Sequence, residues 1–188
     1  MNIYAVVPAK SFYLIKHGPL APAVLPYFTS MFLHAGWWHL LGNMLYLWIF
    51  GDNVEDTMGH GRFFIFYLLC GMGSSIAHSV TNSSSTVPAL GASGAIAGVL
   101  GAYILLFPNS RVVTVVPIFF FLHFIEVPAF LFLGFWFLLQ LMSGLASLGV
   151  VTVSGGIAWW AHIGGFLFGI LLLPFFRRKR SRAQLLYL

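Results

Sequence analysis

The sequence predicts an all-α fold, a polytopic bundle of about five membrane-spanning helices. Three observations carry that expectation. Only 7% of the 188 residues are charged and 60% are hydrophobic, whereas an average soluble domain is about 25% charged. The charges are also confined: residues 17–51, 63–110 and 127–176 contain no Asp, Glu, Lys or Arg. A membrane-crossing helix needs about 20 apolar residues, so these runs accommodate one, two and two crossings. Finally, the apolar runs are continuous rather than alternating, which argues against barrel strands. The same composition excludes an ordinary soluble domain, a disordered chain and a disulfide scaffold, since Cys70 is the sole cysteine.

Residues 1–29 hold Pro8, Pro19, Pro22 and Pro26 and lack an apolar run long enough to cross, so they read as an outer loop. Helices are expected over 30–51, 63–80, 93–107, 128–144 and 157–176. The polar stretch Asp52–Gly61 should close the first of them. Thr81–Gly91 is rich in Ser and Asn, Ser147–Gly156 is built of small residues, and Pro108 ends the middle helix by removing a backbone donor. Residues 112–126 are apolar but short, and they read as an interfacial or partly re-entrant segment. The membrane domain therefore spans 30–176.

Residues 177–188 form a basic tail. Arg177, Arg178, Lys179, Arg180 and Arg182 lie there, while Lys10, Lys16, Arg62 and Arg111 are balanced by Asp52, Glu55, Asp56 and Glu126. Such a tail marks a cytoplasmic flank and a contact with the lipid bilayer. No second basic surface exists to track a phosphate backbone, so nucleic acid is not an expected partner. A cytoplasmic tail places loops 52–62 and 108–127 inside. It leaves the N-terminus and loops 81–92 and 145–156 outside.

The helix at 93–107 is short, about 22 Å at 1.5 Å per residue, against a hydrocarbon core of about 30 Å. Its outer end must stop below the surface, and loop 81–92 must dip to meet it. Backbone at that depth has to be enclosed by protein or open to water. At this end stands Gly91-Ala92-Ser93-Gly94. Free backbone N–H groups and the helix dipole there favour developing negative charge, which suits Ser93 as a nucleophile. His162, in Ala161-His162-Ile163-Gly164-Gly165, sits about one turn from the outer end of the last helix and supplies a base. Gly94 and Gly98, Ala97 and Gly101, and Ala161, Gly165 and Gly169 recur at four-residue steps. Such faces let two helices approach closely, either to join Ser93 to His162 or simply to pack. His39 and Asn43, four apart on one helical face, are candidates for an oxyanion hole or for interhelical hydrogen bonds.

Together these elements resemble the rhomboid family of intramembrane serine proteases, from about Tyr27 to Gly169. The motifs are His34-Ala35-Gly36-Trp37-Trp38-His39-Leu40-Leu41-Gly42-Asn43, Gly51-Asp52-Asn53-Val54-Glu55, Gly91-Ala92-Ser93-Gly94 and Ala161-His162-Ile163-Gly164-Gly165. The resemblance implies a Ser93–His162 dyad, with His39, Asn43 and the Ser93 N–H holding the oxyanion. It implies a serine endopeptidase that cuts transmembrane protein substrates near the outer face. A multi-pass protein of a prokaryotic plasma membrane is the expected setting.

Rival chemistries fail on inventory. No His-Glu-x-x-His is present for zinc. Asp52 and Asp56 share one loop, which does not suit an aspartic pair. No acid in an outer loop would complete a Ser–His–Asp triad. The dyad needs no metal or other cofactor.

Three departures from the family pattern stand out. Ala97 replaces an aromatic residue that often packs on the base, so another side chain is expected to fix His162, with Trp159 or Trp160 as candidates. Leu25-Pro26 stand where a Trp-Arg pair is common. The usual first membrane helix, one of six in the family core, is absent. Lys10 and Lys16 also precede the 30–51 helix while acids follow it, the wrong flanks for its orientation. An upstream crossing is therefore expected. The alternative functions are a rhomboid-like protein that binds transmembrane helices without cutting them, and a small transporter or channel.

Overall fold

A computed structural model describes residues 3–148 and 157–178. The chain forms α1 (Pro8–His17), α2 (Leu20–Thr29), a 3₁₀ turn (Ser30–Phe32), α3 (Trp37–Tyr46), α4 (Asp52–Met58), α5 (His60–Thr81) and α6 (Ser93–Leu106). Strands β1 (Arg111–Ile118) and β2 (Phe121–Pro128) follow, then α7 (Ala129–Ala146) and α8 (Trp159–Phe176). The expected helical membrane bundle is present. The helices expected at 63–80, 93–107, 128–144 and 157–176 correspond to α5, α6, α7 and α8. Among the described residues, α5, α7 and α8 are long and apolar enough to cross a membrane. α6, with 14 residues, is the short helix anticipated.

Three expectations need correction. The helix placed at 30–51 begins at Trp37, because Leu33 and Gly36 are extended. It continues through a π turn, Leu47–Gly51, into α4. Polar residues do not by themselves stop a helix. The break falls at Gly59, whose φ of 81° lies where only glycine is comfortable. Residues 1–29 are not a plain loop but contain α1 and α2, which bury Ala23 and Tyr27. Finally, residues 112–126 lie in an antiparallel β-hairpin in an otherwise helical fold, paired from Arg111↔Pro128 to Ile118↔Phe121. Its Val-Val-Thr-Val-Val run is β-branched and prefers a pleated strand. The basic tail beyond Arg178 and most of the 145–156 loop lie outside the described residues.

α6 is the axis of the bundle. Every residue from Gly94 to Tyr103 is buried. α8 presses against it backbone to backbone: a Cβ on Gly165 would overlap the Gly94 carbonyl, and one on Gly169 the Gly98 carbonyl. α5 closes the other side, where Gly73 receives the Phe168 ring. At the opposite end from Ser93, Arg62 donates to the Phe175 carbonyl at 2.6 Å.

The segment before α1 straps the loop that leads to α6. Val6 and Ala89 exchange backbone hydrogen bonds of 3.0 and 2.7 Å, and the Ala9 N–H donates to the Ser85 carbonyl at 3.0 Å. The loop's backbone polar groups are thereby partly satisfied by protein, as a submerged loop requires.

Candidate active site

Ser93 is the first residue of α6. The chain reaches it through Gly91, whose φ is 126°. A Cβ on Gly91 would also lie 2.7 Å from His39 Cε1 and 2.8 Å from His39 Nε2. Glycine is therefore needed for the backbone turn and for the ring beside it. The Gly91 N–H donates to the Ser30 carbonyl at 2.9 Å, pinning the approach.

His162 occupies the first turns of α8. The Ser93 hydroxyl donates to His162 Nε2 at 2.9 Å. On the far side of the ring, Nδ1 lies 2.7 Å from Gln140 Oε1. An amide oxygen can only accept, so Nδ1 carries the proton and Nε2 is the free acceptor. That is the tautomer a general base requires.

His39 is fixed in the complementary sense. The Ala35 N–H donates to its Nδ1 at 3.3 Å, so in the neutral ring Nε2 holds the hydrogen. That edge faces Gly91 and the start of α6. The Asn43 amide donates to the His39 carbonyl at 2.9 Å, which leaves its second N–H for another acceptor. The His34 ring meets His39 edge-on, with centroids 5.2 Å apart. Burial, and then the neighbouring His39, holds the His34 pKa below the ordinary histidine value.

Ser93, His162, His39 and Asn43 all border one cavity of about 270 Å³, whose apolar wall includes Ile96, Leu100 and Trp136. A second, smaller cavity of about 30 Å³ also borders the serine, where Ser30, Ser74, Ser75 and His78 stand among apolar residues such as Val6, Met31 and Leu90.

Two residues at this site escaped the sequence reading. Trp159 and Trp160 do not brace His162. They pack toward Gly144 instead, and the Trp160 indole N–H is buried without a partner among the described residues. The brace is Trp136, whose ring centroid is 6.0 Å from that of His162. Gln140 is the second. Trp136 and Gln140 stand four apart on α7 and so on one face. A signal existed: between Ala129 and Met142, Gln140 is the lone side chain with strong hydrogen-bonding groups. Such residues inside membrane helices rarely face lipid.

Comparison with known proteins agrees with this architecture. Residues 22–179 match the rhomboid domain. The chain is 33% identical over 150 residues to the mitochondrial Rhomboid protein 1 of Saccharomyces cerevisiae, covering 76% of this chain and 39% of that protein. It is 45% identical over 83 residues to Rhomboid protease GluP of Bacillus subtilis, covering 44% of this chain and 16% of that one. It is 30% identical over 158 residues to the mitochondrial presenilin-associated rhomboid-like protein of Bos taurus, covering 80% and 37%. The chain thus spans well under half the length of these relatives. They come from mitochondria as well as a bacterium, so the expected prokaryotic plasma membrane is not supported. The matched domain, the apolar helices and the arrangement around α6 together establish that this chain is an integral, multi-pass membrane protein belonging to the rhomboid family.

Proposed function

We propose that the chain is an intramembrane serine endopeptidase that cleaves transmembrane protein substrates. The observation that carries this reading is the 2.9 Å hydrogen bond from Ser93 to His162 Nε2, at the mouth of a cavity bounded by α3, α6, α7 and α8. A rhomboid relative named as a protease is consistent with it.

The chemistry follows from the geometry. His162 takes the Ser93 proton as Oγ attacks a substrate carbonyl. The negative charge then forms beside the N-terminus of α6, where the Ser93 N–H, His39 Nε2–H and the spare Asn43 N–H are available as donors. His162 returns the proton to the leaving amine. Water then attacks the acyl-enzyme with His162 again as base. The smaller cavity has room for one water molecule beside Ser93, with Ser30, Ser74, Ser75 and His78 as polar partners. The larger cavity receives the apolar residue next to the cut bond. Residues 3–29 form an outer cap that holds the serine loop in place, and α7 controls substrate entry.

The test uses the full chain in lipid vesicles with a fluorophosphonate probe and a panel of single-span substrates. Wild-type protein should label and cleave. Ser93→Ala and His162→Ala should do neither while keeping their melting temperatures. A wild-type protein that binds substrate helices but never labels is a binding protein, and the proposal fails.

A further inference from the structure

The structure assigns Gln140 as the residue that positions the catalytic base, making a Ser93–His162–Gln140 relay; this inference rests on the proposed protease function. Gln140 belongs to the buried stripe of α7, with Ala129, Leu133 and Gly144. It is 7% exposed, and its oxygen meets His162 Nδ1 at 2.7 Å. A buried amide among Phe and Leu is costly unless it is bonded, and here its acceptor is spent on the imidazole. The contact does two things. It selects the tautomer with the proton on Nδ1, and it fixes ring rotation so that Nε2 points at Ser93.

This is the task of the aspartate in a Ser–His–Asp triad, performed by a neutral group. A carboxylate would stabilise the imidazolium strongly. An amide oxygen orients the ring while adding little charge stabilisation. A neutral partner suits a site within lipid, where an ionised carboxylate would itself need costly compensation. Trp136, one turn earlier, holds the ring from its face while Gln140 holds it by its edge. α7 therefore supplies the constraint that Ala97 does not.

The experiment compares wild type, Gln140→Leu and Gln140→Glu in vesicles, following fluorophosphonate labelling and cleavage across pH. Loss of tautomer control costs about 10⁴ where the partner is a carboxylate. For a neutral partner, Gln140→Leu should lower kcat by about ten- to a hundredfold with KM unchanged. Gln140→Glu should recover rate at high pH and move the acid limb of the profile upward, because a carboxylate favours the protonated ring. Wild-type rates in Gln140→Leu, or a loss carried by KM alone, would overturn the assignment. So would an unmoved acid limb in Gln140→Glu, which tests the idea even if the leucine variant folds poorly. Inactive wild-type protein would instead sink the protease reading itself.

A separate observation concerns the β-hairpin. Its turn is Phe119-Phe120, and Phe119 adopts φ 53°. Glycine is favoured at that place in a two-residue turn, and a bulky side chain there is an outlier. Phe119 and Phe120 are 94% and 99% exposed, and Phe121, Leu122 and Phe124 are exposed beside them. The base of the hairpin is tied down: the Ala129 N–H donates to the Ser110 carbonyl at 2.8 Å, and Arg111 pairs with Glu126 at 3.1 Å. β2 runs directly into α7, whose outward Phe130, Leu131 and Phe135 form a lipid-facing surface continuous with the hairpin.

We infer that the hairpin tip inserts into the bilayer leaflet at the Arg62 and Arg177 end of the bundle, with the Arg111–Glu126 pair at the headgroup level. The occupant of the apolar tip is lipid. The test labels Phe120→Cys with a nitrobenzoxadiazole dye in the full chain, in vesicles of phosphatidylcholine and phosphatidylglycerol. His60→Cys, at the exposed first residue of α5 at the same end, is the control. Blue-shifted emission at position 120, quenched by acyl-chain spin labels, is expected. Emission quenched by aqueous iodide instead would overturn the inference. So would energy transfer between copies that vanishes on dilution in lipid, which would make the partner a second chain.

Discussion

α6 and α7 are both apolar helices beside the same serine, yet they are held differently. α6 is buried on every side from Gly94 to Tyr103 and meets α8 with no side chain between the backbones. α7 touches the bundle along one stripe, and Phe130, Leu131, Phe135, Leu138, Leu139 and Met142 face outward. The first helix fixes the nucleophile by steric necessity. The second reaches the base through two side chains, Trp136 and Gln140. Distance between the reacting groups is thus a property of the backbone, whereas orientation of the base is a property of a more lightly held wall. Under the proposed function, a substrate arriving from lipid would meet the wall whose displacement leaves the α6–α8 seam, and with it the Ser93–His162 contact, in place.

The comparison breaks most visibly if the α6–α8 seam tolerates bulk. Gly165→Val and Gly169→Val should give the largest effect. Each added Cβ would fall on a facing carbonyl, and overpacking of this kind costs about 1–3 kcal/mol or more. The helices must separate, and a hydroxyl–imidazole contact of 2.9 Å does not survive a shift of an ångström. Melting temperature and probe labelling should fall together. A valine variant that melts normally and labels at full rate would show that the seam is not what sets the dyad.

Next in size is the oxyanion side. Asn43→Ala should lower kcat by about 10²–10³, the usual loss for one donor, with less change in KM. Asn43 already spends one N–H on the His39 carbonyl, so part of the effect should arise through a looser His39. His39→Ala tests this directly: if Asn43 acts only through His39, the double variant should be no slower than His39→Ala alone.

Trp136→Leu should be milder. Ring contacts of this kind contribute about 0.5–1.5 kcal/mol, equivalent to about two- to tenfold in kcat. Steady-state rates at saturating substrate measure it. A larger loss than that of Gln140→Leu would mean that the face of the imidazole, not its edge, is what α7 controls.

These effects also mark what the sequence made readable. The seam was legible because glycines at four-residue steps carry a direct steric meaning. Ser93 and His162 could be singled out as a candidate pair because a serine at a short helix's N-terminus and a histidine near the outer end of a glycine-rich span lie on helices that small residues let approach closely. Gln140 and Trp136 were not. They act across a helix interface, and nothing in the spacing along α7 tells which face meets His162. The hairpin was missed for a related reason: an apolar run between two charges looks the same whether it forms a helix or a paired strand. The start of α3 was misplaced because hydropathy continues smoothly through Leu33–Gly36, where the backbone is extended.

The smallest effect belongs to Gly134, the outward of the two glycines of α7. A Cβ on Gly134 would meet nothing within 4 Å, in contrast to the glycines of α6 and α8. Gly134→Ala removes the entropy cost of a mid-helix glycine, a gain of about 0.4–1 kcal/mol where the backbone is already helical. The melting temperature should rise slightly and labelling of Ser93 should be unchanged. The informative measurement is cleavage of a transmembrane substrate. If α7 bends at Gly134 to admit that substrate, the alanine variant should cleave more slowly while its reaction with a small soluble probe stays the same. Equal rates on both would assign Gly134 to lipid packing alone and move any opening of the wall to the ends of α7.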